Sequence, residues 1–377
     1  MRIGVISASR IPSRAANSIQ VMKVCQAFLD VGHTVRLWVP GPALAIADEN
    51  LQEWYGLHRQ IQITWVPGYR ELRRYDFAWR AVAQAKAWKA DLIYCWPLQA
   101  AALSSWKGIP TALEVHDRPQ GRLGPCLMRL YMKGQGAKRI LPITKAMRNW
   151  LAEKYSVPLE EPFCVISPMG VDLEQYEGLP DPAEARAKLQ LVGGTTVGYT
   201  GHLYEGRGLE LMVDLARRNS GVSFLWVGGE PEAVKRWESR LSNLGIENIE
   251  LIGFVPNERL PFYLAACNIL LMPYERHIAG SSGGDTAMFA SPMKAFEYMA
   301  SGRAILTSDL PVLREVLDEE IAVLLAPEDI EGWDQALKEL IGDPDHRARL
   351  GKNARARVDQ FSWTMRARRS LAGLSDD

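Results

Sequence analysis

The sequence predicts an α/β protein with two Rossmann-like domains, each containing a doubly wound parallel sheet, that face each other across a cleft. Buried strands alternate with amphipathic helices in the first half, and the alternation restarts after residues 165–172 (VISPMGVD). A repeated strand–helix–strand order is typical of a parallel sheet with helices on both faces. The length of 377 residues is also comfortable for two domains.

In the first half, we predict five strands, each followed by a helix. The strands are expected at 2–7, 34–39, 91–96, 110–115 and 139–143, and the helices at 18–31, 77–88, 100–106, 127–133 and 145–155. Ligands of such sheets bind beyond the carboxyl ends of the strands. Functional side chains are therefore expected in the loops at 8–17, 96–98, 116–119 and 144.

The predicted domain boundary lies at residues 168 and 169, so that the second domain covers 169–361. Its strands are expected at 196–200, 222–227, 249–252, 269–272, 304–309 and 322–325. Its helices are expected at 208–218, 232–244, 260–266, from Pro292 to before Gly302, and at 312–316, 330–341 and 344–360. Six strands with intervening helices again predict a parallel sheet.

Charge is unevenly distributed along the chain although the formal net charge is zero. Residues 1–168 contain 22 Lys and Arg against 12 Asp and Glu, and the remainder contains 22 against 32. The basic half predicts an anionic partner, which would be a membrane surface, a lipid phosphate or an acidic substrate. Complementary charge between the two domains is the alternative, and nothing in the sequence favours nucleic acid.

Residues 69–89 (YRELRRYDFAWRAVAQAKAWK) are the clearest candidate for a membrane contact. Basic side chains accompany Trp79, Val82 and Trp88, as in helices that lie at a bilayer interface. The alternative is a helix whose apolar face packs on the sheet. No apolar run reaches the roughly 20 residues of a bilayer span, and we identify no leader segment. Five scattered cysteines suggest a reducing compartment, so we expect a cytoplasmic protein, with possible peripheral contact at the inner membrane face.

Residues 282–309 (SGGDTAMFASPMKAFEYMASGRAILTSD) predict a helix whose amino end binds a phosphate. Ser291 is expected as the N-cap and Pro292 as the first helical residue, because proline lacks the N–H that would be unpaired there. The unpaired amides and the helix dipole suit an anion. A nucleotide would explain Glu297 as a ribose ligand and Lys294 as a phosphate ligand, whereas the alternative is a capped surface helix with solvated charges.

A second anion site is predicted at the loop 201–208 (GHLYEGRG), which follows a strand. Gly201 would let a ligand approach the backbone, and Arg207 would clamp a diphosphate. A solvated loop arginine is the alternative. Neither strand-linked GxGxxG nor a Walker lysine motif is present, which argues against a nicotinamide-dependent dehydrogenase and a P-loop ATPase.

These motifs resemble the retaining nucleotide-sugar glycosyltransferases of the GT-B fold, family four. The resemblance covers nearly the whole chain. It rests on the 201–208 loop, MGVD at 169–172, GFVP at 253–256, YLAACNILLMPY at 263–274 and SPMKAFEYMASGRAILTSDLPVLREVL at 291–317. It also implies that the last helix, 362–377, packs back on the first domain.

The resemblance implies a donor site in the second domain. Its residues are Gly201, His202, Arg207, Gly229, Phe254, Val255, Met288, Phe289, Ala290, Ser291, Lys294 and Glu297. Glu297 matches the family glutamate that binds the ribose hydroxyls, whereas Phe289 stands where the family has a glutamate that contacts the donor sugar. Asp285 is a candidate substitute for that glutamate. His202 and Arg207 stand where the family has an arginine and a lysine on the diphosphate.

The catalytic residues implied by the resemblance are His116, Arg207 and Asp285. His116 matches the family histidine that faces the donor sugar, and here it is followed by Asp117. An imidazole at this position can donate a hydrogen bond to a sugar hydroxyl. The acceptor-side loop would contribute Arg10, Ser13 and Asn17.

The implied activity is transfer of a hexose, with retention, to a saccharide or lipid-linked saccharide in polysaccharide biosynthesis. A UDP-sugar is the favoured donor, with UDP as product, and GDP-mannose is possible. No metal or resident cofactor is expected. Two alternatives are a nucleotide-sugar 2-epimerase of the same fold and a non-catalytic sugar-nucleotide-binding partner, the latter favoured only by Phe289.

Overall fold

The structure, a computed structural model, describes residues 1–42, 48–69, 71–72, 74–278 and 287–374. Asp285, Arg70 and Arg73 lie outside the described residues. The chain forms two compact units, which are Met1–Met169 together with Trp363–Asp377, and Gly170–Ser362. We refer to them as the first and the second unit.

The first unit contains a six-stranded sheet in which every pairing is parallel. Its strands are β1 (Arg2–Ile6), β2 (Thr34–Pro40), β3 (Gln62–Val66), β4 (Leu92–Cys95), β5 (Thr111–Val115) and β6 (Ala137–Pro142). Its first six helices are α1 (Ala16–Asp30), α2 (Asp48–Tyr55), α3 (Tyr75–Ala87), α4 (Leu98–Trp106), α5 (Gly124–Lys133) and α6 (Lys145–Tyr155). The strand order is β3-β2-β1-β4-β5-β6.

The prediction of five strands in this unit is wrong, because β3 was missed. This strand lies at the edge of the sheet, and only Val66 of its five residues is fully buried. A central parallel strand is buried on both faces and therefore has a continuous apolar run, whereas a partly exposed edge strand tolerates polar residues. The sequence of β3 accordingly contains no such run.

The second unit repeats the same architecture. Its strands are β7 (Thr196–Thr200), β8 (Ser223–Val227), β9 (Ile249–Gly253), β10 (Ile269–Met272), β11 (Ala304–Ser308) and β12 (Val323–Leu325). Its helices are α7 (Pro182–Leu189), α8 (Leu209–Arg218), α9 (Pro231–Asn243), α10 (Leu260–Ala265), α11 (Met293–Ser301), α12 (Ile330–Gly342) and α13 (Pro344–Arg357). The strand order β12-β11-β10-β7-β8-β9 is equivalent to that of the first unit, and all pairings are parallel.

Two parallel sheets of this order confirm the predicted fold class. In each sheet the strand order reverses between two neighbours, at β1 and β4 in the first unit and at β7 and β10 in the second. Ligands of doubly wound sheets bind at such switch points, beyond the carboxyl ends of the strands. The fold therefore places the loops after β7 and β10 beside each other.

Two local predictions in the second unit need correction. The helix expected at 312–316 is a series of turns, in which some amides bond three residues back and others four. Bonds of the two spacings alternate over this short segment, so no regular α-helical series forms. Helix α7 was missed, because the proline-rich sequence before it reads as a linker, although Asp181 caps it and Pro182 occupies its first position.

The C-terminal helix α14 (Trp363–Leu371) is part of the first unit, where it packs against α1. Arg139 of β6 donates to the carbonyl oxygens of Ser370 and Ala372 at 2.8 and 2.7 Å. A cation that bonds the last carbonyls of a helix stabilises its carboxyl end. Helix α14 is thus held to the sheet through a side chain of the sheet's own edge strand.

The segment 69–89 contains α3, which buries Phe77, Ala81 and Val82. The prediction that Val82 is available to a membrane is therefore wrong. Trp88 is half-buried, and Arg2 lies over its ring at 4.6 Å. Three apolar side chains of the segment remain largely exposed, which are Tyr69, Leu72 and Trp79. Among the helices of the described residues, we find none that is long and apolar enough to span a bilayer.

Candidate active site

The loop after β7 is shaped by glycines that make room for neighbouring groups. Gly201 has φ +134°, and a Cβ at this position would lie 2.9 Å from Nζ of Lys294. Gly208 precedes α8 with φ +69°, and its Cβ would lie 1.9 Å from the carbonyl oxygen of Pro273. The backbone contact at Gly208 excludes a larger residue, and the positive φ disfavours one at both positions. The loop consequently lies directly against the chain that follows β10.

Two cations meet two tyrosines at this switch point. Nζ of Lys294 lies 4.0 Å from the ring centroid of Tyr199 and 5.1 Å from that of Tyr274. Cζ of Arg207 lies 4.9 Å from the same Tyr274 ring. Aromatic faces attract cations, so the rings hold both groups in place. The aromatic rings carry no net charge, so they do not neutralise Lys294 or Arg207.

Two cationic side chains, Lys294 and Arg207, lie close together at this point. Nζ of Lys294 and Nε of Arg207 are buried and have no hydrogen-bond partner among the described residues. Burial lowers the pKa of Lys294 well below its ordinary value, and the charge of Arg207 lowers it further, whereas Glu297 acts in the opposite direction. Buried ammonium groups are normally paired. The arrangement therefore suits a bound anion.

Helix α11 begins one residue later than predicted. Its cap position is Pro292, with ψ 129° and no side-chain cap bond, so the prediction of Ser291 as N-cap is wrong. Pro292 itself takes the extended conformation that a cap requires. Lys294 then lies in the first turn, and Glu297 lies half-buried further along the helix.

The turn before α11 contains the remaining donor-site candidates. The side chain of Phe289 is 3% exposed, and that of Met288 is 57% exposed. Phe289 is thus part of the core and does not offer a polar group in the position of a sugar-binding glutamate. Ala290 is half-buried, and only its backbone is polar.

The other donor-site candidates also follow strands at the carboxyl edge of this sheet. His202 stacks on Tyr204 with ring centroids 4.7 Å apart, and its carbonyl oxygen accepts from Tyr199 at 2.8 Å. Gly229 follows β8 with φ +92°, and its Cβ would lie 2.9 Å from the side chain of Leu203. Phe254 and Val255 follow β9 and are half-buried. The fold therefore gathers these predicted residues at one edge.

In the first unit, His116 directly follows β5 and bonds to a residue that sequence reasoning missed. Its Nε2 lies 2.6 Å from Oε1 of Glu114, and Nε1 of Trp96 and Nε2 of Gln20 approach the same nitrogen at 3.3 and 3.1 Å. The adjacent Asp117 instead accepts from Gln120 and from the amide of Arg118. The His116 ring is therefore oriented by Glu114, a residue of strand β5, and not by the adjacent Asp117.

Glu114 is the centre of a buried network. Its carboxylate accepts from Arg366 of α14 at 2.7 Å, from the hydroxyl of Tyr94 and from the amide of Gln20. Burial alone would raise the pKa of Glu114, but Arg366, followed by His116, reverses the effect and lowers it to about 2. Glu114 is consequently a buried carboxylate in its ionised form.

A cavity of about 390 Å³ lies beside His116 within the first unit. Tyr75, Trp96 and Leu123 supply apolar walls, while Gln120 and Arg122 supply polar groups. Aromatic walls with a few polar groups are suited to a sugar or another partly apolar ligand.

The predicted acceptor-side loop is only partly available. The amide of Ser13 donates to Tyr55 at 2.9 Å and its hydroxyl donates to Ser18 at 2.9 Å, so Ser13 secures the loop to α1 and α2. Arg10 and Asn17 are exposed. Of the three predicted residues, Arg10 and Asn17 therefore have the exposed side chains.

Several residues of these sites escaped the sequence analysis. For Glu114 a signal existed, because a carboxylate inside the buried strand TALEV requires a partner. For Arg366 none existed, since it is one of several arginines in a basic helix and more than 250 positions away from Glu114. Tyr199 and Tyr274 look like ordinary core residues in the sequence.

Comparison with known protein families gives two matches that together span most of the chain. A family model described as Glycosyltransferase Family 4 matches residues 18–175, and one described as Glycosyl transferases group 1 matches residues 182–357. The first match lies in the first unit apart from its last residues, and the second lies in the second unit.

Curated relatives and solved structures agree with these matches. The 2-deoxystreptamine glucosyltransferase of Streptomyces kanamyceticus is 24% identical over 74% of this chain and 80% of its own length. The D-inositol 3-phosphate glycosyltransferase of Nocardia farcinica is 28% identical over 63% of this chain, which spans about half (52%) of that relative. The structure of Anabaena HepE in complex with UDP-glucose superposes with a TM-score of 0.76 over the full length of both chains, at 17% identity.

Proposed function

Because the chain belongs to the family-four glycosyltransferases of the GT-B fold, we propose that it transfers a hexose from a nucleotide diphosphate sugar with retention of configuration. A UDP-sugar is the favoured donor, GDP-mannose is the second candidate, and UDP or GDP is released. The acceptor in this proposal is a saccharide or a lipid-linked saccharide of polysaccharide biosynthesis. The relatives act on different acceptors according to their names, so the acceptor class rests on the family alone.

One observation carries the proposal, which is that the buried Nζ of Lys294 has no hydrogen-bond partner among the described residues and lies near a second cation, Arg207. A diphosphate would supply negative charge to both groups. Its negative charge grows as the bond to the sugar breaks, so fixed cations stabilise the transition state more than the ground state. Glu297, further along α11, is the proposed ligand of the ribose hydroxyls.

In the proposed reaction the acceptor hydroxyl attacks from the face on which the diphosphate departs. The acceptor's oxygen forms the new bond to the sugar carbon, the bond to the phosphate oxygen breaks, and the departing phosphate takes the hydroxyl proton. Arg207, Lys294 and the helix amino end offset the charge that moves to the diphosphate. His116 is a further proposed contact with the sugar.

Nucleotide binding to full-length variants tests the donor site. We expect Lys294→Met to weaken UDP binding by roughly 10- to 100-fold, because a charge-assisted phosphate contact contributes about 1.5–3 kcal/mol. Its affinity for uridine, which has no phosphate, should be unchanged. Glu297→Ala should weaken uridine and UDP binding alike, and Lys352→Met on the exposed face of α13 is the matched control.

Product analysis separates the alternative activities. Release of UDP that depends on an added acceptor supports transfer, whereas UDP release without acceptor and with an epimerised sugar would identify a 2-epimerase. Tight UDP binding with no turnover of any donor would identify a non-catalytic binding partner. Arg207→Ala should lower kcat more than nucleoside affinity.

A peripheral membrane contact of the first unit forms part of the proposal, since a lipid-linked acceptor would be met at a membrane surface. It is supported by the exposed side chains of Tyr69, Leu72 and Trp79 next to the basic residues of α3. Interfacial helices combine these residue types. The inner membrane face is the proposed location.

A further inference from the structure

The hydrogen bonds around His116 restrict which ring nitrogen carries a proton. Three groups face Nε2, and they are Glu114, Trp96 and Gln20. The indole N–H of Trp96 is directed at Nε2 and would need a lone pair there, and the amide of Gln20 also donates, whereas the carboxylate of Glu114 accepts. Glu114 is also the nearest of the three, at 2.6 Å against 3.3 and 3.1 Å. A short bond to a carboxylate is the strongest of these interactions, so Nε2 carries the hydrogen.

Glu114 itself is fixed as an acceptor. Arg366, Tyr94 and Gln20 all donate to it, and Arg366 also bonds to the carbonyl oxygens of Ser167 and Pro168 at 3.1 and 2.7 Å. Arg366 is 2% exposed and Glu114 is also 2% exposed. Neither group can leave the network for solvent, so its geometry is imposed on His116.

The opposite nitrogen of His116 is available to a ligand. Nδ1 has no hydrogen-bond partner among the described residues, and the ring lines the cavity of the first unit. When Nε2 holds the only ring hydrogen, Nδ1 has a lone pair and accepts a hydrogen bond. This is the reverse of the donor role that the sequence predicts for His116.

We propose that Glu114, held by Arg366, is a positioning residue that fixes the Nε2–H tautomer of His116, so that Nδ1 accepts a hydrogen bond from a sugar hydroxyl. The contact with a sugar rests on the proposed function, whereas the tautomer does not. Recognition of this kind requires a hydroxyl that donates. A fluorine in its place can accept weakly but cannot donate.

Nitrogen NMR of the full-length protein labelled with ¹⁵N-histidine tests the tautomer directly. In the neutral ring of the wild type, we expect a hydrogen on Nε2 and none on Nδ1 of His116, with the signal assigned by its loss in His116→Ala. In Glu114→Leu/Arg366→Met, the acceptor at position 114 and both charges are removed together, and the signal should change to a mixture of tautomers. His346, on helix α13 of the second unit, serves as the internal control. A hydrogen on Nδ1 in the wild type, or an unchanged tautomer in the double variant, would overturn the proposal.

Donor analogues test the contact with the sugar. Among UDP-glucose analogues altered at single hydroxyls, one position should lose turnover equally on replacement by hydrogen and by fluorine, by roughly tenfold or more. His116→Ala should abolish that position's effect. If the fluoro analogue retains turnover at every position where the deoxy analogue loses it, His116 donates and the proposal is wrong. UDP affinity, measured in parallel, reports separately on the donor site of the second unit.

Discussion

The two units of the molecule treat buried charge in opposite ways. In the first unit, Arg366 and Glu114 are almost fully buried and are paired with each other at 2.7 Å. In the second unit, Lys294 is buried without a hydrogen-bond partner among the described residues and lies near another cation. A completed pair of opposite charges holds the protein groups in place. An incomplete site, such as the one around Lys294, becomes more stable when a ligand supplies the opposite charge. The comparison thus separates a positioning device from a binding site.

The largest expected effect comes from breaking the completed pair. Glu114→Gln leaves Arg366 buried without its carboxylate and should lower the free energy of unfolding by about 3–5 kcal/mol. Glu114→Leu/Arg366→Met should recover most of this loss, because replacing a buried pair by apolar groups is often close to neutral. Denaturant unfolding of the single and double variants measures both values. Equal losses in the two would mean that the pair is not the source of the effect.

The incomplete site should respond in the opposite direction. Lys294→Met removes a buried amino group that has no hydrogen-bond partner among the described residues, and we expect the ligand-free protein to gain about 1–3 kcal/mol. Saturating UDP should remove this advantage, because the wild type alone gains the phosphate contact. Thermal unfolding with and without UDP provides the measurement, with Lys352→Met as control. A loss of stability without ligand would show that Lys294 already has a counter-ion.

Because the pKa of Lys294 is lowered, protein stability and UDP affinity should both depend on pH. Between the lowered value and the ordinary value of 10.5, the unfolded chain holds a proton that the ligand-free folded protein lacks, so stability rises with pH in this window. UDP should restore the proton, and its affinity should fall by up to about tenfold per pH unit there. Calorimetry at about pH 9, where an ordinary lysine is still charged, in buffers of different ionisation enthalpy should detect proton uptake. Equal uptake by wild type and Lys294→Met would contradict the assignment.

The smallest expected effect concerns the surface of the first unit. Arg80→Ala and Lys86→Ala should each weaken binding to anionic vesicles by on the order of 1 kcal/mol at low salt. Trp79→Ala should weaken binding at low and high salt alike, since its contribution is apolar. Phe262→Ala, an exposed aromatic of the second unit, is the control. Co-sedimentation that ignores lipid charge would exclude this surface and leave the basic unit to an acidic acceptor.

The fold was predictable from the sequence because both sheets are built mainly from central parallel strands. Such strands are buried on both faces, and runs such as ILLM at β10 identify them without further context. Edge strand β3 and helix α7 escaped because neither depends on a strong apolar pattern. Short-range apolar patterns thus predict the fold class, but they do not identify elements that pack against few neighbours.

The candidate site was predictable only where chemistry is local in sequence. Lys294 and Glu297 were identified as candidates because charge inside an apolar helix is unusual. The structure places Lys294 against Tyr199. The partner of His116 could not be read in the same way. The network joins Gln20, Glu114 and Arg366, and only the folded chain brings these positions together.

The return of α14 to the first unit has a consequence for how the protein is made. A ribosome completes the sheet of the first unit by residue 169, but Arg366 follows almost 200 residues later, after the whole second unit. At about 5–20 residues per second, the completed sheet waits roughly 10–40 s for Arg366, the counter-ion of Glu114. The domain that begins first is therefore finished last, and the nascent first unit spends the intervening time with the α14-binding surface of α1 uncovered.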